Sequence, residues 1–309
     1  MKKIIVIVAT YNGEKYLSKQ LDSILNQSLS PYKIFVNIDL SIDKTLHVVR
    51  EYIKKYAQIS VLNSNKKYGS ASVNFFNAFS MINFNDFDYV ALSDQDDIWN
   101  KDKLKNAVNT LNSGFDGYSS NVTAVWHNGK RISIIKNQPQ TKYDFLFESA
   151  GPGCTYVINN NLATSLQIFL KKNYESIISN CSYHDWFIYA FARVNNFKWF
   201  IDGYESMEYR QHSFNQIGAN VGFKAFISRF FKVLKGEGID FTFYIIRIFN
   251  ISDNNFIRLW SPPTRIGFLR LACYSFLCRR RIKDKLLFFV ACIVLALFFP
   301  AKLKAYCIR

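Results

Sequence analysis

The chain begins with an uninterrupted apolar run, Ile4 to Ala9, in which no polar position alternates with the hydrophobic ones. Such a β-branched run predicts a strand buried on both faces, as in a parallel sheet. Helical spacing follows from Tyr16 to Gln27, where Leu17, Leu21, Ile24 and Leu25 recur on one face. The two periods then alternate. Lys33–Asp39 reads as a strand, Asp43–Lys55 as a helix with Leu46, Val49 and Ile53 on one side, and Ser60–Leu62 as a short strand. Val73–Met81 reads as a helix and Tyr89–Leu92 as a fourth strand. This βαβαβαβ order predicts an open, mainly parallel α/β sheet, with ligands in the crevice at the carboxyl ends of its strands.

Beyond a helix over Lys101–Asn112 the pattern becomes mixed. Val122–Trp126 and Arg131–Ile135 predict short strands joined by an Asn128-Gly129 turn. A glycine-rich stretch, Ser149 to Thr155, precedes a strand at Tyr156–Ile158. Helices over Leu162–Leu170 and His184–Val194 and a short strand at Trp199–Ile201 follow.

From Gly222 the chain differs in kind. Phe223, Phe226, Ile227, Phe230, Phe231 and Leu234 recur at helical spacing among lysines and an arginine, which predicts a basic amphipathic helix. Later, Arg279-Arg280-Arg281, Lys283 and Lys285 precede the apolar run Leu286–Phe299, and Lys302 and Lys304 follow it. That run has 14 residues, against the ~20 that a spanning helix needs. It fits a helix in the membrane interface, a packed helix of a core or an oligomer, or a span across a thinned bilayer with snorkelling lysines.

Composition sharpens the contrast. With 49% hydrophobic residues among 309, the chain can bury a large core and is not disordered. The net charge of +16 is uneven: residues 221–309 hold 16 Lys and Arg against four Asp and Glu. A basic tail calls for an anionic partner, and continuous apolar runs beside the charges favour lipid or protein over nucleic acid. Six cysteines without CxxC or zinc-ligand spacing read as reduced, packed residues of a cytosolic chain. The N-terminal apolar run is too short for a signal peptide and no cleavage site follows.

Three polar clusters fall at the predicted strand ends: Thr10-Tyr11-Asn12, Asp39 with Ser41 and Asp43, and Asp94-Gln95-Asp96-Asp97. No GxGxxG follows the first strand and no GxxxxGK[ST] occurs, which argues against a dinucleotide-binding dehydrogenase and a P-loop nucleotidase. Carboxylates this close repel one another unless a cation offsets them, and oxygen ligands suit Mg²⁺ or Mn²⁺. The alternative for the acidic turn alone is a solvated cap on the helix after it. Asp185, between His184 and Trp186, reads either as a first-turn acid favoured by the helix dipole or as a general base aimed into the crevice.

The ordered set Val8-Ala9-Thr10-Tyr11-Asn12-Gly13-Glu14, Ser93-Asp94-Gln95-Asp96-Asp97-Ile98-Trp99, Gly151-Pro152-Gly153-Cys154-Thr155, His184-Asp185-Trp186 and Tyr209-Arg210-Gln211-His212 resembles the family 2 glycosyltransferases, in their rhamnosyltransferase-like branch. The resemblance covers roughly residues 1–220, which it implies form a GT-A domain, with 221–309 left as a helical, membrane-associating extension. It implies transfer of a sugar from a nucleotide-sugar donor with inversion, aided by Mn²⁺ or Mg²⁺. Donor contacts are implied at Thr10, Tyr11, Asn12, Glu14, Asp39, Asp94, Gln95 and Arg210, and metal contacts at Asp94, Asp96 and His212. Asp185 matches the catalytic base, with Gly153, Cys154, Thr155, His184 and Trp186 on the acceptor side. Asp97 is left as a turn or helix-entry residue. The acceptor expected is a cell-surface glycan or lipid-linked glycan at the cytoplasmic face of the membrane, with an oligomer compatible. One departure stands out: the family's Asp-Asp-Gly-Ser is Ile38-Asp39-Leu40-Ser41 here. It motivates a second reading, a catalytically weak homologue that binds nucleotide or glycan as a partner subunit.

Overall fold

The computed structural model describes residues 2–212 and 238–299. These fall into two compact units, 2–137 with 150–212 and 138–149 with 238–299. The basic amphipathic helix expected over 223–234 lies outside the described residues.

The first unit is built on a nine-stranded mixed sheet. Its parallel half contains β1 (Ile4–Thr10), β2 (Lys33–Asp39), β3 (Ile59–Lys66) and β4 (Tyr89–Ser93), in spatial order β3-β2-β1-β4. Every residue of β1 is buried, which accounts for its continuous apolar run. The helices α1 (Leu17–Leu25), α2 (Thr45–Lys55) and α3 (Ala71–Met81) connect these strands. A buried asparagine pair ties α3 to the carboxyl ends of the strands: Asn37 Nδ2 donates to Asn74 Oδ1 at 2.7 Å, and Asn74 Nδ2 donates to the Thr10 carbonyl at 3.3 Å.

The segment after β4 rides on the end of α1. Gln20 Nε2 donates to Ser93 Oγ at 2.9 Å, Trp99 N donates to Ser23 Oγ at 3.0 Å, and Gln27 bridges the Asn100 carbonyl and Leu104 N. These buried amides satisfy backbone groups that would otherwise be costly to desolvate, so the turn between Ser93 and Trp99 has both ends fixed.

The rest of the sheet consists of β5 (Ile98–Trp99), β6 (Gly117–Trp126), β7 (Arg131–Ile134), β8 (Val157–Asn159) and β9 (Trp199–Gln211). Antiparallel β8 joins β4 to β6, β9 runs parallel to β6, and β5 closes the edge against β9. Besides β3, which runs on to Lys66, two strands exceed expectation. β9 continues for 13 residues, and β6 starts at Gly117. Polar residues hid both: the buried Ser119, Ser120 and Asn121 of β6 are satisfied internally, Ser120 Oγ donating to Ser206 Oγ at 2.6 Å. Register irregularities beside Asn121 accommodate Asp202-Gly203-Tyr204 in β9. The extra length of β9 delivers Arg210 and His212 to the acidic turn.

The second unit contains helices Ile239–Ile248, Asn255–Arg258, Arg265–Cys273, Ser275–Cys278 and Ile282–Phe298. Residues 138–149, expected within the 1–220 stretch, group with these helices instead. Arg280 is the reason. Its guanidinium, only 2% exposed, lies 3.1 Å from the fully buried Asp144 carboxylate and donates to the Ser149 carbonyl at 2.5 Å. Tyr143 stacks on Phe256 at 3.8 Å, and Thr242 Oγ1 donates to the Leu146 carbonyl at 2.8 Å. Arg280, expected as part of a surface basic run, is thus a core cation. Removing one partner of a buried ion pair strands the other charge. Arg280→Met is therefore expected to reduce unfolding free energy by about 3–5 kcal/mol, measured by urea denaturation; a change within experimental error would contradict this assignment.

Candidate active site

The turn after β1 is stitched to the loop after β2. Asn12 adopts a left-handed φ of 46°, which asparagine tolerates. Its amide donates to Ser41 Oγ and its side-chain oxygen accepts from Ile42 N, each at 3.0 Å. Glu14 N donates to Asp43 Oδ2 at 3.0 Å, while Glu14 Oε2 accepts from Lys44 N at 3.1 Å. Gln95 reaches over from the acidic turn. Its Oε1 accepts from Thr10 Oγ1 at 2.6 Å and Tyr11 N at 2.8 Å, and its Nε2 donates to the Tyr11 carbonyl at 2.9 Å. A side chain at Gly13 would collide here, since a Cβ would lie 2.4 Å from Gln95 Oε1. The Tyr11 ring is left 54% exposed at the rim.

Asp39 is committed to the protein backbone: its two carboxylate oxygens accept from Tyr68 N and Gly69 N, both at 2.8 Å. The neighbouring departure causes no strain. Ile38 is buried in the core and Leu40 keeps a negative φ, so the turn accepts a β-carbon.

At the acidic turn, Asp96 Oδ2 and His212 Nε2 meet at 2.8 Å, and the imidazole stacks on Tyr16 with centroids 4.7 Å apart and planes 13° from parallel. Arg210, expected to face the donor, instead grips the backbone. Its guanidinium donates to the carbonyls of Asp96, Asp97 and Tyr16, the last two at 3.2 and 3.3 Å, and covers the Tyr16 ring at 4.9 Å. Asp97 is not a solvated helix-entry residue. It is fully buried, Oδ1 accepts from Arg210 N at 3.3 Å, and Oδ2 has no hydrogen-bond partner among the described residues.

Beneath the turn lies a cation that sequence reasoning missed. Lys103 is fully buried, its Nζ 3.6 Å from the Trp99 ring centroid and donating to the Cys154 carbonyl at 2.5 Å. The readable signal was a lysine at i with Ala107 and Leu111 at i+4 and i+8 on a helix's apolar face. Burial, then the Asp96 charge, pushes the Asp94 and Asp97 carboxyls up, and burial pushes the Lys103 ammonium down. Attraction between the lysine and the carboxylates opposes both shifts and favours the charged set.

Opposite stands the helix His184–Val194, whose first turn presents His184, Asp185 and Trp186. The His184 ring packs on Phe75 with centroids 4.5 Å apart, and burial holds its pKa below the ordinary value. Asp185 Oδ1 accepts from Trp186 N at 2.8 Å, which satisfies a first-turn amide and fixes the carboxylate. Its charge adds to the upward pressure on Asp94, so the two carboxylates sense each other across the crevice. Gly153 sits directly against this helix: a Cβ there would lie 2.4 Å from His184 Nε2 and 3.1 Å from Asp185 Cβ. Cys154 and Thr155, expected on the acceptor side, are buried behind Gly153. Thr155 Oγ1 donates to the Pro152 carbonyl at 2.7 Å.

Two donor groupings could meet a metal ion. Asp94, Asp97 and Cys154 bring ligand atoms within 4.8 Å of one another, yet burial pushes the Cys154 thiol up and keeps it a poor ligand. Asp96 with His212 offers one carboxylate oxygen and one imidazole nitrogen in contact, which suits Mn²⁺ or Mg²⁺ with substrate oxygens and water completing the shell. The expected trio of Asp94, Asp96 and His212 does not converge within that distance, because Asp94 belongs to the deeper group.

The chain matches the family model for glycosyl transferase family 2 over residues 5–172. It belongs to that family. It is 39% identical over 282 residues to the dTDP-rhamnosyl transferase RfbG of Shigella flexneri, covering 90% of this chain and 96% of the relative. Among solved structures, TarS of Staphylococcus aureus with UDP shares 19% identity at a TM-score of 0.54, covering 95% of this chain and 90% of that one. A mannosyltransferase of Pyrobaculum calidifontis with GDP-Man and Mn²⁺ shares 15% identity at 0.53, covering 98% and 82%. These likenesses show a GT-A-like fold. The chain is a glycosyltransferase of the rhamnosyltransferase-like kind, moving a sugar from a nucleotide-sugar donor.

Two outcomes follow from this geometry. Gly153→Ala should push His184 and Asp185 aside and lower kcat by about 100-fold, since a 1 Å misplacement costs about that much; steady-state kinetics with unchanged activity would contradict the packing. Lys103→Met should destabilise the fold by about 3–5 kcal/mol by stranding buried carboxylates, with Lys103→Arg closer to the wild type in thermal melts.

Proposed function

We propose that this family 2 glycosyltransferase moves a deoxyhexose, rhamnose, from a dTDP-linked donor to a hydroxyl of a cell-surface glycan or lipid-linked glycan, by single displacement with inversion. The donor follows from the likeness to the Shigella rhamnosyl transferase along nearly its whole length. The mechanism rests on one observation: Asp185, held through Oδ1 by Trp186 N, stands close enough to the acidic turn for its charge to act on Asp94.

In this reading Asp185 accepts the acceptor's hydroxyl proton as that oxygen bonds to the anomeric carbon and the bond to the nucleotide oxygen breaks. His184 and Gly153 hold the carboxylate in place and keep the acceptor side narrow. Thr10, Tyr11, Asn12 and Glu14, braced by Gln95, line the nucleotide side. A divalent ion held by Asp96 and His212 would offset charge on the departing diphosphate. Arg210 and Lys103 act from beneath, by fixing the acidic turn.

Incubation with dTDP-rhamnose and Mn²⁺ or Mg²⁺ tests this directly. Release of dTDP is expected to require the ion and to fall at least about 100-fold in Asp96→Ala, on the scale of lost transition-state charge stabilisation. Binding of a nucleoside diphosphate without turnover of dTDP-, UDP- or GDP-sugars would instead support a partner subunit.

A further inference from the structure

Exposed large hydrophobic residues are concentrated in one part of the chain. Of 19 among the described residues, ten lie between Ile266 and Phe298. Helix Ile282–Phe298 is apolar beyond Lys285, with its Ala291, Cys292, Leu295 and Ala296 side buried in the unit. Its other side bears Ile282, Leu286, Phe289, Val290 and Leu297 at i, i+4, i+7, i+8 and i+15, which share one stripe, and all are at least 42% exposed. Helix Arg265–Cys273 adds Ile266 and Leu269, at 63% and 45%. A contiguous apolar stripe on a helix demands a cover.

We propose that this helical unit docks in the interfacial layer of an anionic lipid bilayer through the Ile282–Leu297 stripe. Charge selects the occupant. Between Asn254 and Phe299 the chain carries eight Lys and Arg and a single acid, Asp284. Arg265, Arg270, Arg281 and Lys283 are exposed. A second copy of the chain on the same stripe would bring these like charges together, whereas anionic headgroups attract them. Nucleic acid would leave the stripe uncovered. None of the described helices is long and apolar enough to cross a membrane. Because its opposite side is packed in the unit, the helix bares only the Ile282–Leu297 stripe, which fits the interface plane with its apolar side chains below the headgroups.

Cosedimentation of the full chain with vesicles tests the assignment. Vesicles of equal phosphatidylglycerol and phosphatidylcholine are expected to carry down the wild type, and pure phosphatidylcholine much less. Leu286→Glu with Phe289→Glu should reduce binding by at least about tenfold, on the scale of several buried CH₂ groups per side chain, with binding of dTDP unchanged. Should that variant fail to bind dTDP and so prove misfolded, Arg265→Gln with Arg270→Gln and Lys283→Gln, all at exposed positions, should still weaken binding to the anionic vesicles by about tenfold or more. Wild type left in the supernatant would overturn the proposal. So would charge variants that sediment as well as the wild type, or a lipid-free dimer in sedimentation velocity that Leu286→Glu with Phe289→Glu dissociates.

Discussion

The guanidinium of Arg210, spread across the carbonyls of Tyr16, Asp96 and Asp97, is the contact on which the site's geometry depends. Three carboxylates in four residues would push a free turn apart. Here a planar fork of donors grips its backbone from one side, while Gln95 ties it to the end of β1 from the other. The side chains are then left with distinct duties. Asp96 turns to His212 at the crevice, Asp97 turns inward, and Tyr16 lies under both the imidazole and the guanidinium.

The second constraint is charge balance in a nearly dry space. Asp94, Asp97 and the Cys154 thiol crowd together, and Lys103 lies within electrostatic reach of all three. The lysine also holds the Cys154 carbonyl, so one ammonium connects the acidic turn's support to the glycine-rich turn that packs on Asp185. A change below the site is thereby felt on both of its walls. Asp94 serves this internal network, which leaves the Asp96 and His212 pair as the donors proposed for a metal ion.

Much of this was legible in the residues. Continuous apolar runs announced the parallel strands, and the strand-end clusters marked the crevice, because burial and backbone geometry act locally there. The extent of β9 was not legible. Its polar middle breaks the alternation, and only the long-range register with β6, irregularities included, turns it into a strand. Arg210 looked like a donor contact for the same reason, since its partners are carbonyls remote in sequence. Arg280 likewise read as part of a surface basic run, and Lys103 was missed, whereas remote partners, Asp144 and the Cys154 carbonyl, hold both in the interior. The change from glycine to Leu40 looked disruptive, yet the left-handed residue in this region is Asn12.

Anchored through Oδ1 by the Trp186 amide, Asp185 faces the acidic turn from the far wall of the crevice, and the account rests on its being the base. The most direct measurement is the kinetics of Asp185→Asn with dTDP-rhamnose and acceptor, alongside donor binding. Asparagine preserves the contact to Trp186 N but cannot take a proton. Donor affinity should stay near the wild type while kcat falls by about 100-fold or more, the scale of a lost general base. Full turnover in Asp185→Asn would place the base elsewhere and contradict the account.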